Sequence, residues 1–209
     1  MKRIIVFEGI DHVGKSTLAE RVSAALKEQI SPEVKIMMMS SPGKGIEGSL
    51  GDFVYKIHHN RVKDITEKMD PTALQMLHVA SHLNNLQNRM LPHIKSSGVV
   101  ILDRFWWSAI AYGIAAGISE PILYNIVSPE IELFNLVKEH LKVFYITRDN
   151  IDYDHGLTHG ERIISEYKKI AKSSDYDVRT IYNDGTIEET VNLIIHHIVI
   201  NNGKENEPM

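Results

Sequence analysis

The residues best suited to chemistry lie near the amino terminus, in the segment Gly9-Ile10-Asp11-His12-Val13-Gly14-Lys15-Ser16. This segment fits G-x-x-x-x-G-K-[ST], the pattern of a phosphate-binding loop. The glycines let successive backbone N–H groups point at phosphate oxygens, and a helix that begins there adds partial positive charge. Lys15 can place its charge on the β- and γ-phosphates of a nucleotide, and the Ser16 hydroxyl can ligate Mg²⁺. The predicted phosphate contacts are Gly9, His12, Val13, Gly14, Lys15, Ser16 and Thr17.

A second pair of candidate residues follows the apolar run in "VVILDRF". Asp103 ends this run, and a carboxylate that stands beside a phosphate loop can hold Mg²⁺ through water. A helix cap or a surface acid is the alternative for Asp103. Arg104 supplies a forked donor that suits a phosphate, with a salt bridge to a nearby acid as its alternative. The sequence therefore predicts Ser16 and Asp103 as metal residues and Arg104 as a phosphate ligand.

The elements that must position these residues are short β-branched runs that alternate with longer helical patterns. Strands are predicted at 3–8, 34–39, 98–103, 142–147 and 176–183, and helices at 15–29, 49–59, 71–97 and 186–200. Further helical segments run to about residue 140, with breaks near "GISEP" and "SPE", and Pro92 should kink or end the long helix. The alternation predicts an α/β fold with a five-stranded parallel sheet flanked by helices on both faces.

The length and composition of the chain are those of an ordinary single-domain protein. The chain has 209 residues, 43% hydrophobic and 24% charged, with no cysteine for disulfides or thiolate metal sites. A net charge of −4 argues against sequence-independent binding to nucleic acid, which usually needs a basic surface. Apolar runs are too short for a membrane span or a signal peptide, so a cytoplasmic protein without a membrane partner is expected. The domain should cover residues 1–200, followed by a disordered polar tail at 201–209.

The polar stretch at about 148–162, "RDNIDYDHGLTHGER", is expected to be a mobile lid. Arg148 or Arg162 could close over a transferring phosphoryl group, although a lid without catalytic side chains would look similar. The acids in this stretch approach the spacing of a calcium loop, but the glycine is displaced by one position and no metal site is expected.

Two motifs closely resemble those of one known family. "FEGIDHVGKST" resembles the phosphate loop of thymidylate kinases, and "LDRFWWSAIAY" resembles their Asp-Arg segment. "ERIISEYKKIA" and "NDGTIEETVNLI" are similar to the helix after their lid and to their closing strand and helix. This resemblance, over roughly residues 3–200, implies a three-layer P-loop kinase that uses ATP and Mg²⁺. It further implies a small-molecule acceptor, a deoxynucleoside monophosphate with dTMP first, and a homodimer.

The resemblance also implies roles for particular residues. Asp11 would meet the sugar 3′-hydroxyl or help position the acceptor phosphate, and Arg104 would bind that phosphate. Tyr112 would pack against the sugar and disfavour a 2′-hydroxyl. Lys15, Arg104, Asp11 and the lid residues Arg148 and Arg162 form the expected catalytic set.

The sequence departs from this family in the segments that would contact the base and the acceptor phosphate. His78 stands where family members place an aromatic that stacks on the base, with Phe53 and Trp106 as other candidates for stacking. His82 stands in place of the arginine that reads thymine, and Lys44 is the partial substitute for an arginine missing after the second strand.

These departures keep two alternatives open. One is a kinase for a nucleoside or a modified base. The other is a non-catalytic nucleotide-binding switch, against which the intact Lys15, Ser16 and Asp103 argue.

Overall fold

The computed structural model describes residues 2–43, 49–58, 69–149 and 159–199. Within these ranges the predicted sheet is confirmed, and every strand starts and ends within two residues of its expected bounds. The strands are β1 Arg3–Glu8, β2 Ile36–Ser40, β3 Val99–Asp103, β4 Leu141–Thr147 and β5 Asp177–Tyr182. They pair in parallel in the order β2-β3-β1-β4-β5. The expected lid is mostly outside the described residues, as are Lys44 and the predicted tail at 201–209.

Helices cover the two faces of this sheet. They are α1 Lys15–Gln29, α2 Leu50–His58, α3 Pro71–Asn85, α4 Leu91–Lys95, α5 Trp106–Ala115, α6 Glu120–Asn135, α7 Gly160–Ser173 and α8 Ile187–Val199. The long helix predicted at 71–97 is divided, because a π-helical turn at Leu86–Met90 separates α3 from α4. Pro92 lies in the first turn of α4, directly after the π-helical turn, and the helix continues past it to Lys95.

The helix break predicted near "SPE" is wrong. α6 continues through Pro129 in its interior. A proline there removes one helical hydrogen bond and crowds the preceding turn. Leu123 and Val127 before it, and Leu133 and Phe134 after it, are all buried in the core. Their packing on both sides of Pro129 outweighs the local preference for a break, since most helical stability in proteins comes from tertiary packing.

The central strand β1 determines where the functional residues meet. Its residues Ile4–Phe7 are fully buried between β3 and β4. Because all strands are parallel, their carboxyl ends share one edge of the sheet, where ligands of open α/β folds bind. The phosphate loop follows β1, Asp103 ends β3, and Arg148 follows β4 at this edge. Among the described helices, none is long and apolar enough to cross a membrane.

Candidate active site

The loop between β1 and α1 has the backbone that its glycines predict. Gly9 has a φ of 140° and Gly14 a φ of 92°, values that side chains rarely tolerate. A Cβ atom on Gly9 would lie 2.2 Å from the Ile146 carbonyl oxygen, and one on Gly14 would lie 2.6 Å from the Asn183 side-chain nitrogen. The glycines therefore allow both the curl of the loop and its close packing against the ends of β4 and β5.

Lys15 is buried at the start of α1, and its ammonium donates a hydrogen bond to the Ile10 carbonyl oxygen at 2.6 Å. Burial, together with the charge of Arg104, lowers the pKa of Lys15 to about 7, although Asp11 and Asp103 act in the opposite direction. A partly desolvated cation that contacts the loop backbone can attract the phosphates of a nucleotide strongly.

Ser16 and Asp103 meet in the manner expected for a metal site. The Ser16 hydroxyl donates to Asp103 Oδ2 at 2.6 Å. Asp103 Oδ1 is buried and has no hydrogen-bond partner in the described part of the chain. Buried carboxylate oxygens normally have a partner, and hard cations such as Mg²⁺ prefer oxygen ligands. The unpaired oxygen and the adjacent hydroxyl fit Mg²⁺.

Arg104 is at the centre of a hydrogen-bond cluster behind the loop. Its backbone φ is 77°, an uncommon value for an arginine. One terminal nitrogen lies 2.9 Å from each of three oxygen atoms, the Gly9 carbonyl, the Ser108 hydroxyl and the Tyr167 hydroxyl, which share its two N–H groups. The other forms an ion pair with Asp11. Arg104 lines a cavity, where a phosphate could reach it. It also makes a salt bridge to a nearby acid, the alternative role that the sequence left open for it.

Glu8 holds this cluster in place, a role that was not predicted from the sequence. Its carboxylate is fully buried and accepts hydrogen bonds from the Phe105 N–H at 2.7 Å, the Ser108 hydroxyl at 2.7 Å and the Tyr167 hydroxyl at 3.0 Å. Burial raises the pKa of Glu8 although Arg104 lies nearby. The sequence signals were a charged residue at the end of an otherwise apolar strand and the position of Glu8 within the motif "FEGIDHVGKST".

Asp11 and Tyr112 form a second pair beside Arg104. The Tyr112 hydroxyl donates to Asp11 Oδ2 at 2.8 Å and accepts from the Asp11 backbone N–H at 3.1 Å. Burial acts to raise the pKa of Asp11, but the charges of Arg104 and Lys15 prevail and hold it at about 2. Asp11 is therefore an anion at neutral pH that is available as a hydrogen-bond acceptor.

These residues open onto a cavity of about 560 Å³, within the range of small-molecule sites. Its described lining includes a polar group (Asp11, His12, Asp103, Arg104) and a group with aromatic or imidazole rings (Tyr55, His78, His82, Trp106, Tyr112). Trp107 beside Trp106 is instead buried against Phe105. The structure thus brings most of the predicted acceptor residues to one cavity.

Phe53 is an exception among the predicted substrate residues. Its side chain is 46% exposed, and it is not among the described residues that line the cavity, whereas Tyr55 on the same helix is. Residues two apart on a helix point about 200° away from each other, so only one of them can face the cavity. The stacking role expected of Phe53 is therefore not supported, and Tyr55 was missed.

The two predicted lid arginines differ in position. Arg148 is exposed just after β4, and its guanidinium nitrogen lies 3.8 Å from the point where a Cβ of Gly14 would be. Arg148 therefore stands beside the phosphate loop. Arg162 is exposed in the first turn of α7, and no contact among the described residues brings it to the loop.

The chain is similar to known proteins in sequence and in fold. The family model for thymidylate kinase matches residues 7–194. A thymidylate kinase of Latilactobacillus sakei is 24% identical, over 90% of this chain and 91% of that protein. A probable thymidylate kinase of Saccharolobus solfataricus is 25% identical, over 93% and 97%. The crystal structure of a thymidylate kinase from Ehrlichia chaffeensis has the same fold, with a TM-score of 0.75, 20% identity, and coverage of 94% of this chain and 98% of that one.

Proposed function

Because the chain belongs to the thymidylate kinase family, we infer that it transfers the γ-phosphoryl group of ATP to dTMP and so forms dTDP. One observation supports this function best. A cavity that is large enough for a nucleotide is lined both by Asp103 and Arg104, next to the phosphate loop, and by the rings of His78, Trp106 and Tyr112. An anionic phosphate and a flat base require these two kinds of surface in a single site.

On the donor side, the backbone N–H groups of the loop hold the phosphates of ATP, with Gly9, His12, Val13, Gly14 and Thr17 around them. Lys15 adds a positive charge. Ser16 and the unpaired oxygen of Asp103 hold Mg²⁺, which when bound neutralises charge on the phosphates.

On the acceptor side, Arg104 binds the phosphate of dTMP while Glu8, Ser108 and Tyr167 fix its orientation. Asp11 accepts a hydrogen bond from the sugar 3′-hydroxyl, and the ring of Tyr112 packs below the sugar. The base packs against aromatic or imidazole rings, and His78 and Trp106 line the cavity in positions to supply them.

The reaction itself needs little covalent help from the protein. In phosphoryl transfer, catalysis consists mainly of aligning the two phosphates and of stabilising charge in the transition state. Lys15, Arg104 and Arg148 supply that charge beside the loop, and Arg162 would join them only through movement of α7 or of the segment before it.

The test is ADP release from Mg·ATP with dTMP, dUMP, dCMP or thymidine as acceptor, with Lys15→Ala as the inactive control. We expect the highest turnover with dTMP and none with thymidine, because thymidine has no phosphate for Arg104. Turnover with thymidine would instead support a nucleoside kinase. ATP binding without transfer to any acceptor would support a nucleotide-binding switch.

A further inference from the structure

A buried pair of side chains lies in the wall of the cavity, and one member of the pair, Glu130, has no role in the chemistry described so far. His82 on α3 and Glu130 on α6 both line the cavity and are 4% and 1% exposed. His82 Nδ1 lies 2.7 Å from Glu130 Oε2. Both residues are polar and buried, which is costly unless each satisfies the other.

The helix that carries His82 is anchored beside the cavity. Ser81 is buried, and its hydroxyl donates a hydrogen bond to the Pro42 carbonyl oxygen at 2.6 Å. Pro42 itself lines the cavity. The position of the imidazole is therefore set by the loop after β2, through Ser81, and by α6, through Glu130.

When His82 is neutral and Glu130 is ionised, their contact assigns the imidazole proton to Nδ1. An ionised carboxylate only accepts hydrogen bonds, so Nδ1 must donate to it. A neutral imidazole that donates from Nδ1 has a lone pair on Nε2. Carboxylates that hold a histidine tautomer in this way are common where the second nitrogen contacts a ligand. In this tautomer, His82 offers Nε2 as a hydrogen-bond acceptor in the wall of the cavity.

We propose that Glu130 is a positioning residue for base selection: it keeps the proton of His82 on Nδ1, so that Nε2 accepts the N3–H of thymine. Cytosine has a lone pair at N3, which would face the lone pair of Nε2 and be repelled. The pair therefore selects 4-keto pyrimidines over 4-amino pyrimidines. This inference rests on the proposed function, because it assumes that the base of the acceptor monophosphate occupies this cavity.

Glu130→Gln tests the proposal with almost no change of shape. A carboxamide can accept from Nδ1 or donate to it, so either tautomer of His82 becomes allowed. We expect the ratio of kcat/KM for dTMP over dCMP to fall about tenfold, the size of one net hydrogen bond. The change should appear in KM, and the melting temperature should stay near that of the wild type. Glu132→Gln, an exposed change on the same helix, is the matched control and should leave the ratio unchanged.

His82→Phe removes Nε2 and provides a second test. In the His82→Phe background, Glu130→Gln should have no further effect on the ratio, because Glu130 acts only through the imidazole. The proposal would be overturned if Glu130→Gln left the dTMP over dCMP ratio unchanged, or if the effects of the two substitutions on this ratio simply added. The pair would then serve only to hold α3 and α6 together.

Calorimetric dissociation constants for dTMP and dCMP, measured without ATP, separate this proposal from the proposed function. If the wild type binds both nucleotides but transfers no phosphoryl group, the proposed function fails while the binding ratios still test the pair. Equal loss of binding for both nucleotides in Glu130→Gln would count against the proposal.

Discussion

The Asn183 side-chain amide donates a hydrogen bond to the Val13 carbonyl oxygen at 2.9 Å, so the end of β5 supports the phosphate loop 170 residues earlier in the chain. The other end of the same carboxamide accepts from the Thr190 hydroxyl at 3.0 Å. Asn183 is buried, and the absence of a side chain on Gly14 makes room for it. The shape of the loop therefore depends on α8 and β5 as well as on its own glycines.

Replacing Asn183 with alanine should weaken both folding and nucleotide binding. The buried Val13 carbonyl oxygen would lose its hydrogen-bond donor, which should lower the free energy of unfolding by about 1–3 kcal/mol. The KM for ATP should rise because the loop is less well held. Urea denaturation and initial rates measure the two effects. Asn88→Ala is the control, since it removes an exposed hydrogen bond to Asn84 and should change neither quantity measurably.

Lys15→Met should separate activity from stability. We expect the rate of phosphoryl transfer to fall at least about 100-fold, because a charge aimed at the transferring group is lost. The melting temperature should stay the same or rise, because burial already disfavours the charged form of Lys15 and methionine carries no charge to bury. A melting temperature several degrees lower would show that the ammonium stabilises the fold. Lys168→Met, an exposed change on α7, should affect neither property.

Asp103→Asn should raise the Mg²⁺ concentration that gives half-maximal ADP release. The amide oxygen can still accept from Ser16, but one carboxylate charge beside the metal is lost, and the loss of such an outer-shell group commonly costs about 10–100-fold in metal affinity. Ser16→Ala should shift the requirement in the same direction. Magnesium titrations at a fixed ATP concentration measure both. If Asp103→Asn needed the same Mg²⁺ concentration as the wild type, Asp103 would be excluded from the metal site. Asp175→Asn is the matched control, because this side chain is remote and 75% exposed.

Asp11 should make folding stability depend on pH in acid. Its pKa is about 2 in the folded protein, against 3.8 for an unperturbed aspartate. The ionised carboxylate therefore stabilises the fold above pH 3.8, and this contribution declines as the pH falls from about 4 towards 2. Urea denaturation of the wild type and of Asp11→Asn should show their largest difference near neutral pH. We expect that difference to shrink below pH 4, and a difference that is constant from pH 7 to pH 3 would contradict the assigned cause.

Features that depend on residues adjacent in the chain were predictable from the sequence. The five strands follow from short apolar runs, and the phosphate loop follows from its glycines, Lys15 and Ser16. Even the meeting of Asp103 with Ser16 was expected, because parallel strands bring their carboxyl ends to one edge. Each of these inferences uses only local spacing and one general rule of sheet geometry.

Other features depend on which elements pack together, and only the tertiary structure decided them. α6 continues through Pro129 because buried neighbours hold it, which no local rule indicates. Glu8, Asn183 and Glu130 carry no motif of their own that assigns their partners. Each acquires its role from side-chain or backbone groups that are 48 to 170 residues distant in sequence. A burial-driven fold brings such groups together, and the high cost of leaving a buried polar atom unpaired then makes the contacts specific.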